Sequence, residues 1–205
     1  MTGRVGPRLP PDLRGPVEVE LARAVDTIPG PGALAGGTVW EPKLDGYRGV
    51  IVRGEQTRIW SRNGRDLTDR FPDIAHAAEA QLPAGVVVDG ELVIYVDGRL
   101  SFDALQRRLV IAPGNARQMV AAVPASSVAF DLLAQGGVNL RSQRWTNRRR
   151  RLESLASWAP PLQLMMVTDD PAEAQEWFDV LSAMGVEGLV AKGKASRYEP
   201  GRRGW

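Results

Sequence analysis

The segment Glu41-Pro42-Lys43-Leu44-Asp45-Gly46-Tyr47-Arg48 puts a lysine where a β-type run gives way to a glycine-containing turn. Strand ends and the loops after them are where sites form. Only Lys43, Lys192 and Lys194 of the 26 basic residues are lysine. An amine that must lose its proton and attack cannot be replaced by a guanidinium that stays charged. To act so, Lys43 must be neutral; bringing a lysine pKa from about 10.4 to about 7.5 takes roughly 4 kcal/mol, from desolvation or nearby cations. Lys192 and Arg48 are candidates for those cations. By itself, K-x-D-G also fits a surface lysine beside an acidic turn, and the scarcity of lysine also fits an arginine-biased composition.

Two glutamates stand inside apolar strands, Glu91 in Val88-Asp89-Gly90-Glu91-Leu92 and Glu187 in Val186-Glu187-Gly188-Leu189-Val190-Ala191-Lys192. A carboxylate there is costly unless it is paired, hydrogen-bonded or bound to a cation. With a lysine five residues after the second, the pair suits a hard divalent ion beside a phosphate, since Mg²⁺ takes one or two carboxylates and a cation meets the remaining phosphate oxygens. Each glutamate alone also fits a strand-edge salt bridge. Ser61-Arg62-Asn63-Gly64 offers a fixed guanidinium for a phosphate, and Tyr198 to Arg203 forms a basic turn. Phe130, in Val128-Ala129-Phe130-Asp131-Leu132-Leu133, reads in isolation as core.

These residues need strands to hold them. Short β-branched and aromatic runs recur from Thr38: TVWEPK, RGVIVRG, TRIWSR, GVVVDGELVIYV, SSVAFDLLA, LQLMMV and EGLVAK. Asp97-Gly98 marks a tight antiparallel turn. Helices are predicted at Asp73–Gln81, Phe102–Leu109, Thr146–Ser157 and Pro171–Met184, the last with Asp170 as N-cap, proline at the first position and Gly185 as a stop. Strands paired mostly with sequence neighbours and interrupted by helices make an α+β domain with antiparallel or mixed sheets. Residues 1–36, rich in Pro and Gly, read as a loose arm that packs late, before a domain at 37–205. The Arg148–Arg151 cluster reads as a solvated helix face.

The 205 residues, 43% hydrophobic and 24% charged, suffice for one core and exclude a multidomain machine or global disorder. The absence of cysteine excludes disulfides, thiolate metal sites and a Cys nucleophile. The single histidine, His76, falls in an amphipathic helical pattern and reads as structural or surface. No apolar stretch nears the roughly 20 residues of a membrane span. The start is polar and rich in Pro and Gly, unlike a signal peptide, so the cytosol is the expected compartment.

Taken together and in order, the motifs resemble the covalent nucleotidyltransferase superfamily, most closely ATP-dependent DNA ligases of the bacterial end-joining type. EPKLDGYR is similar to the family's nucleophile motif, SRNG to its second, VVDGELV to its third, VAFDLL to the aromatic motif after it, and EGLVAK to the fourth. The resemblance runs from about Val39 to Trp205 and implies a nucleotidyltransferase (ATP-grasp-like) fold with the nucleotide pocket between sheets flanked by helices. It makes Lys43 the catalytic residue, which attacks the α-phosphate of ATP to give lysyl-AMP. It implies Glu41 on the adenine amino group, Phe130 stacked on the ring, Arg48 at the ribose or nick phosphate, Arg62 at the phosphates and Lys192 on the α-phosphate. Glu91 and Glu187 would serve the ribose and a Mg²⁺ or Mn²⁺ ion. Leu44 would belong to the nucleotide-binding set, with Arg203 as a further basic position. Asp45 and Gly46 would shape the turn.

Family members continue past a tryptophan like Trp205 into a W-x-K-x-K motif and an OB-fold domain. The resemblance therefore implies an adenylation domain without its OB-fold, with weaker sealing and weaker DNA binding than a full ligase. The partners it implies are nicked double-stranded DNA, gripped through phosphates in a salt-sensitive way, and an OB-fold domain or repair proteins in trans. It implies a monomer that works at the bacterial nucleoid in DNA repair and recombination. An RNA ligase, a GTP-using capping enzyme and a non-catalytic nucleotide- or DNA-binding remnant are the alternatives.

Overall fold

The apolar runs of the sequence form two sheets in a computed structural model that describes residues 7–205, apart from the side chains of 113, 114, 116, 117, 182 and 183. The strands are β1 (Thr38–Leu44), β2 (Tyr47–Arg53), β3 (Thr57–Ser61), β4 (Val86–Val96), β5 (Arg99–Leu100), β6 (Ala125–Gln135), β7 (Val138–Asn139), β8 (Leu162–Leu164) and β9 (Val186–Gly193). β1 and β9 pair antiparallel as a sheet of their own. The larger sheet runs β3-β2-β4-β6-β7, with β5 added to β4 and β8 lying parallel to β6. The helices are α1 (Pro72–Gln81), α2 (Phe102–Val110), α3 (Pro113–Ala122), α4 (Trp145–Glu153) and α5 (Pro171–Val180), the last running into a 3₁₀ turn over Leu181–Met184.

The larger sheet is buried on both faces, so its strands read as continuous apolar runs rather than strict alternation. Ile51, Ile59, Val86, Val88, Leu92 and Ile94 pack beneath Ile74 and Ala78 of α1, Leu105 and Leu109 of α2 and Leu152 of α4. Their neighbours of opposite parity, Val50, Val52 and Val87, meet Leu9, Leu13, Val17 and Val19 on the other face. Residues 9–20 of the N-terminal segment thus form a packed layer on the sheet, whereas 22–36 have no buried residue. Each apolar side chain of that layer contributes about 1.5–3 kcal/mol by leaving water. Periodicity could not show this, because the segment is buried as irregular chain.

α3 was not expected: PGNARQMVAA opens on a Pro-Gly pair and carries little apolar pattern. The 3₁₀ turn after α5 ends as Gly185 turns left-handed at φ 87°, and Asp170 Oδ1 accepts from Ala172 N–H at the start of α5 (2.8 Å). The arginine cluster is also corrected. Arg148 is fully buried and forks onto both oxygens of Asp131 (2.7 and 2.9 Å). Arg149, 6% exposed, binds Glu153 Oε1 and the Met165 carbonyl. Only Arg150 and Arg151 of the four face solvent.

Candidate active site

The two sheets meet over a cavity of about 770 Å³. Lys43, Leu44, Glu187 and Lys192 line it from the small sheet, and Arg48, Glu91 and Phe130 from the large one. Arg62 and Asn63, just after β3, and Arg203, near the C-terminus, close its rim. Nine of the ten residues that the sequence singled out thus share one wall system. The tenth, Glu41, is 2% exposed and lies behind Lys192 rather than on the wall. His76 is exposed on α1 and does not line the cavity.

Lys43 is delivered by an irregular strand end. Trp40 N–H and C=O bond outward to Thr168 (2.9 and 3.0 Å), so the residues of its parity in β1 turn away from β9. Pro42 shares that parity and costs the ladder no donor. The register then slips between Lys43 and Leu44. Lys43 Nζ forms an ion pair with Glu187, both side chains about half exposed at 46%. Gly46 brings the following turn onto β4: a Cβ there would stand 2.6 Å from Glu91 Cγ and 2.7 Å from the Leu92 carbonyl. Close approach, not an unusual φ, is what demands glycine here.

Glu91 stands opposite Arg48 in the β2–β4 ladder. Burial pushes its carboxyl up to about 7; Arg48 and Lys43 oppose the rise, and Asp89 adds to it. Glu41 and Lys192 form a second ion pair, at 2.7 Å, with both side chains no more than 2% exposed. The approach is close but poorly aligned, so Glu41 Oε1 and Lys192 Nζ remain without a well-formed hydrogen bond. Burial raises the Glu41 carboxyl, against the pull of Lys192. The Lys192 ammonium sits 4.5 Å from the Phe130 ring centroid and 4.4 Å from that of Trp205, a cation–π arrangement between two rings that meet edge to face.

Behind Arg48 lies a network that sequence reading missed. Its Nε and Nη2 donate to the two oxygens of Asp89 (2.6 and 2.5 Å), and Nη2 also reaches the Glu20 carbonyl (3.1 Å). Tyr198 donates to Asp89 Oδ2 (2.7 Å) and accepts from Glu20 N–H (3.0 Å). Asp89 was detectable by the rule that flagged Glu91, a carboxylate inside an apolar strand. Trp205 gave no such signal. Among the described residues no three His, Cys, Asp or Glu side chains cluster as a metal cage, and no helix is long and apolar enough to cross a membrane.

Two antiparallel-type sheets flanked by helices, with the lysine, carboxylates and aromatic ring in the cavity between them, have the nucleotidyltransferase fold of DNA ligase adenylation domains. The chain belongs to the ATP-dependent DNA ligase domain family, which matches residues 21–205. It is 36% identical over 190 residues to DNA ligase C2 of Mycolicibacterium smegmatis, covering 92% of this chain and 52% of that protein. DNA ligase C of Mycobacterium tuberculosis is 36% identical over 194 residues, with the same coverage of 92% and 52%. The chain thus spans about half the length of these curated relatives. Among solved structures, the ligase domain of M. tuberculosis LigD superposes with a TM-score of 0.68 at 29% identity, over 91% of this chain and 56% of that one. A mycobacterial DNA ligase D complexed with ATP and MES gives 0.64 at 28%, over 90% and 57%.

Proposed function

We propose that this chain is the adenylation domain of an ATP-dependent DNA ligase, with Lys43 as the nucleophile. Lys43 Nζ attacks the α-phosphorus of ATP; an N–P bond forms, the α–β phosphoanhydride bond breaks, pyrophosphate leaves, and the amine gives up its proton. The AMP then passes to the 5′-phosphate of a nick, and the 3′-hydroxyl displaces it to seal the strand. The observation that carries the reading is the convergence of Lys43, Glu91, Glu187, Lys192 and Phe130 on one cavity.

Each residue takes a part in this reading. Phe130, now packed against Arg48, Lys192 and Trp205, would stack on the adenine ring once these give way, and Lys192 would neutralise phosphate charge as the bond changes develop. Arg48, Arg62 and Arg203 bring guanidinium groups toward the ribose and phosphates. Glu41, ion-paired with Lys192 and off the cavity wall, can meet the adenine amino group only once Lys192 moves aside. Glu187, which touches Lys43 Nζ, must let go of the amine before attack. Glu91 and Glu187 fit a Mg²⁺ that keeps several waters and shares phosphate oxygens, needing no third carboxylate, and the ion would supply charge neutralisation at the triphosphate. The partner is nicked duplex DNA, held through its backbone, in bacterial cytoplasm.

Incubation with α-labelled ATP and Mg²⁺ tests this. A covalent AMP adduct is expected on the wild type and not on Lys43→Ala. A GMP adduct from labelled GTP would instead favour a capping-type enzyme, and no adduct from either nucleotide would overturn the reading.

A further inference from the structure

Glu20 lies one residue before the stretch matched by the ligase family, and its polar groups reach two separate parts of the molecule, Arg48 of β2 and the Tyr198–Glu199 segment. Its N–H goes to Tyr198 Oη (3.0 Å), its carbonyl takes Arg48 Nη2 (3.1 Å), and its carboxylate Oε2 accepts from Glu199 N–H (2.8 Å). The residue is 2% exposed, and a Cβ on Gly204 would collide with its Oε1. On either side, Leu21 N–H bonds to Arg202 C=O (2.8 Å) and Gly201 N–H to Val19 C=O (3.1 Å). Arg203 Nη1 reaches the Ala22 carbonyl (3.1 Å), and Leu21 and Arg203 form a parallel bridge.

We infer that Glu20 is a positioning residue: its carboxyl ties the 198–205 segment, which presents Arg203 and Trp205 to the cavity, to the same backbone that holds Arg48. The main-chain contacts would survive any side chain at this position. The bond to Glu199 N–H would not, and an apolar residue there leaves that part-buried donor without its protein partner. Holding a carboxyl at a 2% exposed position costs free energy, which a tether to a cavity wall explains and simple packing does not. The charged groups around the carboxyl are Arg148 of α4, Asp131 of β6 and Glu199 of the tethered segment. Arg48 of β2, Asp89 of β4 and Tyr198 face its main chain. Its importance for reaction rests on the adenylation reading above; the tether itself does not.

The test compares the full chain with Glu20→Ala and Glu20→Gln, reading two quantities. Hydrogen–deuterium exchange over residues 198–205 should speed up about tenfold in Glu20→Ala while β4 is unchanged, and Glu20→Gln, whose amide oxygen can still accept from Glu199 N–H, should restore protection. The maximal rate of lysyl-AMP formation should fall on the order of tenfold in Glu20→Ala and recover in Glu20→Gln, as misplacement by a fraction of an ångström predicts. Should Glu20→Ala not fold, Glu20→Met, which keeps the volume, takes its place. Wild-type exchange in the variant, accelerated exchange with unchanged adenylation, or failure of glutamine to rescue would each overturn the inference. A wild type that forms no adduct would instead sink the adenylation reading, and the exchange data would still decide the tether.

Discussion

Arg48 and Asp89 occupy diagonal positions on neighbouring strands and meet fork to fork, with Asp89 fully buried and the Arg48 side chain 15% exposed. The guanidinium that faces the cavity is thereby held in one orientation, its cost of immobilisation met during folding rather than during nucleotide binding.

That geometry makes Arg48→Lys a poor substitute. A lysine keeps the charge but cannot span both Asp89 oxygens, and Asp89 would be left with one poorly met oxygen in a dry site. We expect a loss of about 1–3 kcal/mol in urea unfolding. Asp89→Asn, which leaves the arginine buried without its counter-charge, should cost about 3–5 kcal/mol. Equal, sub-kcal/mol losses for both would contradict the account.

The two lysine–glutamate pairs of the small sheet should behave oppositely. Lys43 and Glu187 are half exposed, so Lys43→Ala should change stability by no more than about 1 kcal/mol while abolishing the AMP adduct. Lys192 and Glu41 are buried. Lys192→Met alone should destabilise by about 3–5 kcal/mol, whereas Lys192→Met combined with Glu41→Leu should recover much of that loss. Chemical denaturation of these three variants against the wild type decides it.

How far these relationships can be read without coordinates depends on the range of the interaction. Lys43, Glu91 and Glu187 declare themselves locally, each being a residue type at odds with its own strand, and strand pairing then does the rest. Glu41 also stood in a flagged motif, but whether it meets the cavity or hides behind Lys192 is a matter of how two strands coil, which no spacing records. The buried role of Arg148 is hidden for the same reason: its partner Asp131 lies seventeen residues back, on a strand whose carboxylate looked unremarkable beside Phe130. The N-terminal layer was illegible because Leu9, Leu13 and Val17 are spaced by four but Val17 and Val19 by two, so no single period runs through this Pro- and Gly-rich stretch.

Gly46 predicts a change that separates shape from chemistry. Alanine there must push either the Glu91 side chain or the β4 backbone at Leu92, and the backbone yields less readily. Gly46→Ala should cost roughly 1–3 kcal/mol in stability and slow lysyl-AMP formation at least tenfold by displacing Lys43 relative to Glu91. Normal adenylation by a well-folded variant would show that the tight turn does not set that spacing.

Burial lifts the Glu20 carboxyl from 4.5 to about 7, against the pull of the Glu199 N–H and Arg148. The folded state therefore holds this proton more tightly than the unfolded chain. Between pH 4.5 and 7 the native protein binds more protons than the unfolded one, so the slope of unfolding free energy against pH is negative there. Stability from this group is fully present below pH 4.5 and lost as pH rises through 7. Glu91, raised to about 7 by burial, slopes the same way. Glu20→Gln removes one of these two contributions: relative to wild type it should gain stability as pH rises from 5 to 8, with the difference levelling off above about pH 7. Urea midpoints measured across that range provide the check, and parallel curves for the two proteins would mean that Glu20 is already ionised in the native state well below neutrality.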